Sequence, residues 1–134
     1  KNFFFPSKPS PATTGIALLI LRVFFGLGMV VWHGWGKLIN FSSEMESFYN
    51  LFGIGSVASL TGAVFAEVVC AALVSIGLFT RAALIPLIFT MAIAAFVVKA
   101  GAPFADRELA LLFLGAYVAL FLTGPGKFSI DHKL

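Results

Sequence analysis

Charge is what this chain has least of: 11% of its 134 residues are Asp, Glu, Lys or Arg and 60% are hydrophobic, whereas a soluble domain carries about 25% and 45–50%. Polar side chains in that number cannot cover a folded body of this size, which excludes an ordinary water-facing surface. Cysteine is nearly absent too. The single Cys70 excludes an internal disulfide, a CxxC redox pair and a cysteine metal cluster, and within its apolar run it reads as a small packing residue. Of the two histidines, His132 lies in the tail, so a haem held by two histidines of this chain is not expected, nor is any other metal site. No basic run with interleaved aromatics occurs, so nucleic acid is not an expected partner. The net charge of +3 points to anionic lipid headgroups instead.

What is present is apolar length. The mean hydropathy is +1.01, and four hydrophobic runs stand at about Gly15–Leu38, Ser59–Phe79, Arg81–Val98 and Glu108–Thr123, each near the ~20 residues that cross a bilayer. The expectation is an all-α integral membrane four-helix bundle forming one transmembrane domain over residues 1–134. Its opening stretch, Lys1–Thr14 with Phe3, Phe4, Phe5, Pro6, Pro9 and Pro11, reads as a non-helical lead that either lies at the interface or is a disordered tail. Between the first two spans, Ser43 and Glu46 have capping-box spacing, and Met45, Phe48, Tyr49 and Phe52 recur at i, i+3, i+4 and i+7. This predicts a short amphipathic interfacial helix over about 43–52, ended by Gly53-Ile54-Gly55. The second and third spans meet at Thr80-Arg81 and must be antiparallel neighbours. Gly101 and Pro103 separate the third from the fourth, which Asp106 can cap, and Gly124-Pro125-Gly126 stops the fourth. An even number of spans puts both termini on one side, and the Lys/Arg distribution favours the cytoplasm for them.

The candidate functional residues are the ionisable ones inside these runs. Arg22 and Glu67 each sit where a charge costs roughly 2.5–3.5 kcal/mol on insertion scales. Counting ~1.5 Å per residue places them at similar depth from opposite surfaces, within reach of each other. A buried Arg22–Glu67 contact is therefore expected, either as a structural ion pair or as the lining of a polar pocket for a ligand or proton; Arg22 snorkelling to the near surface is the alternative. His33, eleven residues after Arg22, projects from the same face of an ideal helix. It is an interface histidine bonded to a loop carbonyl, or else a proton carrier or donor to a quinone-like carbonyl. Lys37 pairs with it at i, i+4 near Trp32 and Trp35. On the second helix Ala63, Glu67, Cys70, Ala71 and Val74 form a small-residue face that permits close approach. Pro86 can kink the third. Glu108 caps the fourth, or faces inward with Leu112, Gly115 and Ala119 on its side. The catalytic residues, if any, are not specified by these patterns.

Taken in order, Arg22, His33-Gly34, Lys37-Leu38, Glu67, Gly77-Leu78, Thr80-Arg81, Glu108, Gly124-Pro125-Gly126 and Ser129-Ile130-Asp131 make the chain resemble the DoxX family from about Gly15 to Asp131. The resemblance implies a small four-helix protein of the bacterial cytoplasmic (inner) membrane, linked to redox complexes, with no covalent cofactor and a quinone or a lipid as candidate occupant. Its partners would be the lipid bilayer and other membrane subunits. Within that frame the first expectation is an accessory subunit of a membrane, redox- or quinone-linked complex. A self-sufficient quinone-linked oxidoreductase and an assembly factor, chaperone or small-molecule transporter are the alternatives.

Overall fold

A computed structural model describes residues 10–45, 50, 53–98 and 100–133, the side chains of Glu44 and Asp106 apart. All regular structure among them is helical. Three helices are long and apolar enough to cross a membrane: α1 (Pro11–Ile39), α3 (Ser56–Ile76) and α4 (Thr80–Val98). A fourth long helix, α5 (Phe104–Thr123), carries Asp106, Arg107 and Glu108 in its first turns. Two short ones, α2 (Phe41–Glu44) and α6 (Ile130–Lys133), complete the order.

Helix α1 starts earlier than expected. Ser10 is its N-cap, with Oγ accepting from the Thr13 N–H at 3.0 Å, and Pro11 occupies the first helical position, where a missing N–H costs nothing. The lead assigned to Lys1–Thr14 is thus helical from Pro11 onward; residues 1–9 lie outside the described residues. At 29 residues, α1 is longer than an apolar core of ~30 Å requires. The expected interfacial helix over 43–52 falls mostly outside the described residues. What is described there is α2, which begins before Ser43, and the Ser43 Oγ donates to the Asn40 carbonyl at 2.9 Å.

Helices α1, α3 and α4 are not uniform. Wider π turns occur at Val23–Leu27 and Val30–Gly34 in α1, Phe65–Cys70 in α3 and Ala94–Val98 in α4. Each π turn uses more residues than an α turn, so faces counted at 3.6 residues drift. The α1 residues packed on α3 are Arg22, Gly26 and Gly34. A side chain at Gly26 would meet the Ala71 carbonyl and Ser75, and one at Gly34 the backbone of Glu67. The predicted small-residue face of α3 is the face they meet: Ala63, Glu67, Cys70, Ala71 and Val74 are all buried. The rest of the core comes from Met29 on α1, Leu84, Leu87 and Met91 on α4, and Phe113, Tyr117 and Leu120 on α5. Outward stand Phe24, Trp32, Trp35, Phe65, Phe89 and Leu122, an apolar exterior that fits a bilayer.

Candidate functional site

The ionisable residues separate into two groups, and the division is not the expected one. Arg22 is buried, but its partners are carbonyls. It donates through Nη1 to Ser75 O at 2.9 Å and Val74 O at 3.4 Å, in the last turn of α3, and through Nη2 to Phe128 O in the tail. The expected Arg22–Glu67 contact is not made. Because α1 runs on past the end of α3, its Gly15 abuts Lys127 and Phe128, and Arg22 stands level with the Gly77–Phe79 turn rather than with Glu67. The other two arginines of the chain act alike. Arg81 donates to Phe121 O and Leu122 O at the end of α5, and Arg107 to Ala95 O at the end of α4. All three thus donate to carbonyls near the C-terminal end of a helix and add positive charge at its negative end.

Around Arg22 the tail closes over the turn joining α3 and α4. Gly77 (φ 75°) and Phe79 (φ 50°) are both left-handed, and a side chain at Gly77 would collide with Ser129 and Arg22. Asp131 answers the strained Phe79 by accepting from its N–H at 2.7 Å and from that of Thr80 at 2.8 Å, while its own N–H donates to Gly77 O at 2.8 Å. Burial acts to raise the Asp131 pKa. The Thr80 and Phe79 donors and the nearby Arg22 charge outweigh it and hold the carboxyl below its ordinary value.

The second group surrounds a cavity of about 730 Å³, within the ~300–1,000 Å³ range of small-molecule sites. Met29, His33 and Lys37 of α1, spaced by four, face it, and Arg22 does not line it. Ser59, Gly62, Ala63 and Glu67 of α3, Pro86, Thr90 and Ala94 of α4, and Ala110 and Phe113 of α5 form the other walls. The charged partner of Glu67 is Lys37: Nζ donates to Oε1 at 2.8 Å, with side-chain exposures of 25% and 4%. Lys37 comes one turn beyond Gly34, the residue level with Glu67, and its side chain slopes back toward the helix N-terminus to reach it. The His33 ring stands edge-on to Phe113 at 5.4 Å, and Phe113 continues to Tyr117, whose hydroxyl donates to Phe25 O at 2.9 Å.

A family model described as DoxX matches residues 17–100. The chain belongs to the DoxX family. No curated protein and no solved structure matches it. The DoxX match includes Arg22, His33, Lys37 and Glu67 and stops before α5 and the tail, so the cavity's charged wall lies inside it and the Asp131 cap outside.

Of the residues singled out from sequence, His33, Lys37 and Glu67 come together, while Arg22 and Glu108 do not join them. Glu108 is exposed, and Leu112, Gly115 and Ala119 after it are exposed as well, so that stripe is the outer face of α5. Helix α5 begins at Phe104, ahead of Asp106, which is an internal residue of its first turn. Asp131, Tyr117 and Thr90 were not picked out as site residues. An acid two places after Ser129 near a Gly-Pro-Gly stop is the signal that could have suggested a cap; a lone Tyr or Thr in an apolar run gives none.

Proposed function

We propose that this protein is a four-helix membrane subunit whose cavity holds a quinone-like or lipid amphiphile, and that it serves as an accessory component of a redox-linked complex in the bacterial cytoplasmic membrane. The observation that carries this reading is the Lys37–Glu67 pair set in the wall of a largely apolar cavity. Charges so placed are costly and mark ligand or ion paths. The donor set fits such a guest: Lys37 and the His33 ring offer polar contacts at one end, and Met29, Ala63, Pro86 and Phe113 offer apolar surface for a ring or chain. In a quinone-linked complex the bound quinone would supply the two-electron chemistry. This chain's residues would orient the head and keep water from it.

In this reading α5 is the fourth crossing, with Asp106, Arg107 and Glu108 at the headgroup level and Leu109–Thr123 in the apolar layer. Both termini are cytoplasmic. Support comes from Arg81, Lys127 and Lys133 gathered at the end where α1 starts and the tail lies, together with Lys1 and Lys8 of the same terminus. The accessory role is favoured by a sequence with a single cysteine and hence no CxxC redox pair.

The test is purification from native membranes in a mild detergent, followed by mass spectrometry of co-extracted quinones and lipids and of co-purifying subunits. The expected result is a quinone or lipid near one per chain, reduced severalfold in Lys37→Met, together with defined partner proteins. A protein that purifies alone with an empty cavity, and that takes up no added quinone or lipid saturably, overturns the proposal.

A further inference from the structure

The cavity's walls are unequal, and the inequality bears on how a guest enters and what head it carries. Helices α3 and α4 pack together near their shared turn, where Phe65–Cys70 and Ala71–Ile76 both meet Thr80–Ile93, but Ser56–Val64 makes no comparable contact with α4. The two helices therefore diverge away from the turn. Small residues line the widening gap, Ala58 and Gly62 on α3 and Ala94 on α4, and Phe65 and Phe89, both about half exposed, stand at its rim. Since these rim residues belong to the outer flank of the molecule, the gap opens the cavity outward among the described residues.

At the inner wall, Lys37 and Glu67 already neutralise each other at 2.8 Å, with Glu67 almost wholly buried. An anionic head at Lys37 would leave the group of Lys37, Glu67 and head with one uncompensated negative charge in an apolar wall, and a cationic head at Glu67 would leave one uncompensated positive charge. A neutral acceptor does neither. An ammonium has three N–H donors, and Lys37 spends one on Glu67, so a carbonyl can be met without breaking the pair. Resting on the reading of the cavity as an amphiphile site, we propose that the guest enters sideways between α3 and α4 and carries an electrically neutral, hydrogen-bond-accepting head.

Gly62 provides the test. Among the described residues, a side chain there meets nothing within 4 Å, and the same holds for Gly115 on the outer face of α5, away from the cavity. Wild type, Gly62→Phe, Gly62→Leu and Gly115→Phe, each checked for helicity and monodispersity, are placed in phosphatidylcholine nanodiscs. Three ten-carbon probes are titrated into each: decylbenzoquinone (neutral), decanoate (anionic) and decyltrimethylammonium (cationic). In wild type the neutral probe should bind at least about tenfold more tightly than either charged one. Gly62→Phe should lose about tenfold or more of that affinity, Gly62→Leu less, and Gly115→Phe should match wild type. Wild-type affinity in a folded Gly62→Phe overturns lateral access. Equal or tighter binding of a charged probe overturns the neutral head. If wild type binds none of the three, the amphiphile reading itself fails; and if Gly62→Phe then abolishes a wild-type dimer, the gap belongs to a second copy of the chain.

Discussion

Separating Lys37 from Glu67 should be costly in a lopsided way. The pair is 2.8 Å long, with the lysine side chain 25% exposed and the carboxylate 4%. Removing one member of a fully buried pair costs about 3–5 kcal/mol, because the survivor remains an uncompensated charge. In Glu67→Leu the survivor is Lys37, whose long flexible stem can carry its ammonium toward the nearby headgroups, which brings the cost down to about 1–3 kcal/mol. In Lys37→Met the survivor is Glu67, short, buried and held on a helix whose backbone touches Gly34; it cannot leave, so the full 3–5 kcal/mol range is expected. Lys37→Met/Glu67→Leu removes both charges and should lie within about 1 kcal/mol of wild type, so the coupling energy is several kcal/mol. Reversible unfolding in a mild detergent, followed by helicity, reads all four proteins. Additive single-mutant costs would show that the two side chains do not depend on one another, and a Glu67→Leu protein less stable than Lys37→Met would show that the survivor's freedom to move does not set the cost; either result refutes the reasoning.

Three further outcomes follow from the same structure. Gly77→Ala combines a left-handed backbone with collisions against Ser129 and Arg22 and should cost well over the ~1–2 kcal/mol of that conformation alone, whereas Gly53→Ala, left-handed with none of the described residues within 4 Å of the added carbon, should cost only that; thermal unfolding separates them. Asp131 is lowered from the ordinary carboxyl value of 3.8, so its stabilising contribution is complete above that pH and disappears as the pH falls through the lower folded value. Asp131→Asn should flatten this acid limb, and Asp131→Ala should in addition lose about 1–2 kcal/mol at neutral pH as a missing helix cap, as read by unfolding midpoints from pH 7 to 2. Tyr117→Phe deletes the donor to Phe25 O and should lower stability by about 1 kcal/mol without altering helicity.

The long helices were legible because apolar runs are long and interrupted by Gly, Pro and charge. The face of α3 was legible too, from its sequence of small residues around Glu67. Partner choice was not. Depth counted from Gly15 on an ideal helix placed Arg22 beside Glu67, yet α1 starts at Pro11 and contains two π turns, so both its level and its direction shift. Lys37 is paired by sequence only with His33, at i, i+4; the backward slope of its side chain, together with the close approach at Gly34, brings it to the carboxylate. The Asp131 cap depends on a tail folding across a turn 52 positions earlier, which no local pattern encodes.

The Arg22–Phe128 hydrogen bond spans 106 positions, and this has a bearing on biosynthesis. Arginine stays charged under all physiological conditions, so from the moment α1 reaches the bilayer until residue 128 has emerged, one of its carbonyl partners does not exist. The growing protein carries a cation short of one carbonyl partner for most of its synthesis, and arrival of the tail supplies that carbonyl. A chain broken off within α5 therefore lacks one of the three carbonyls to which Arg22 donates in the complete fold.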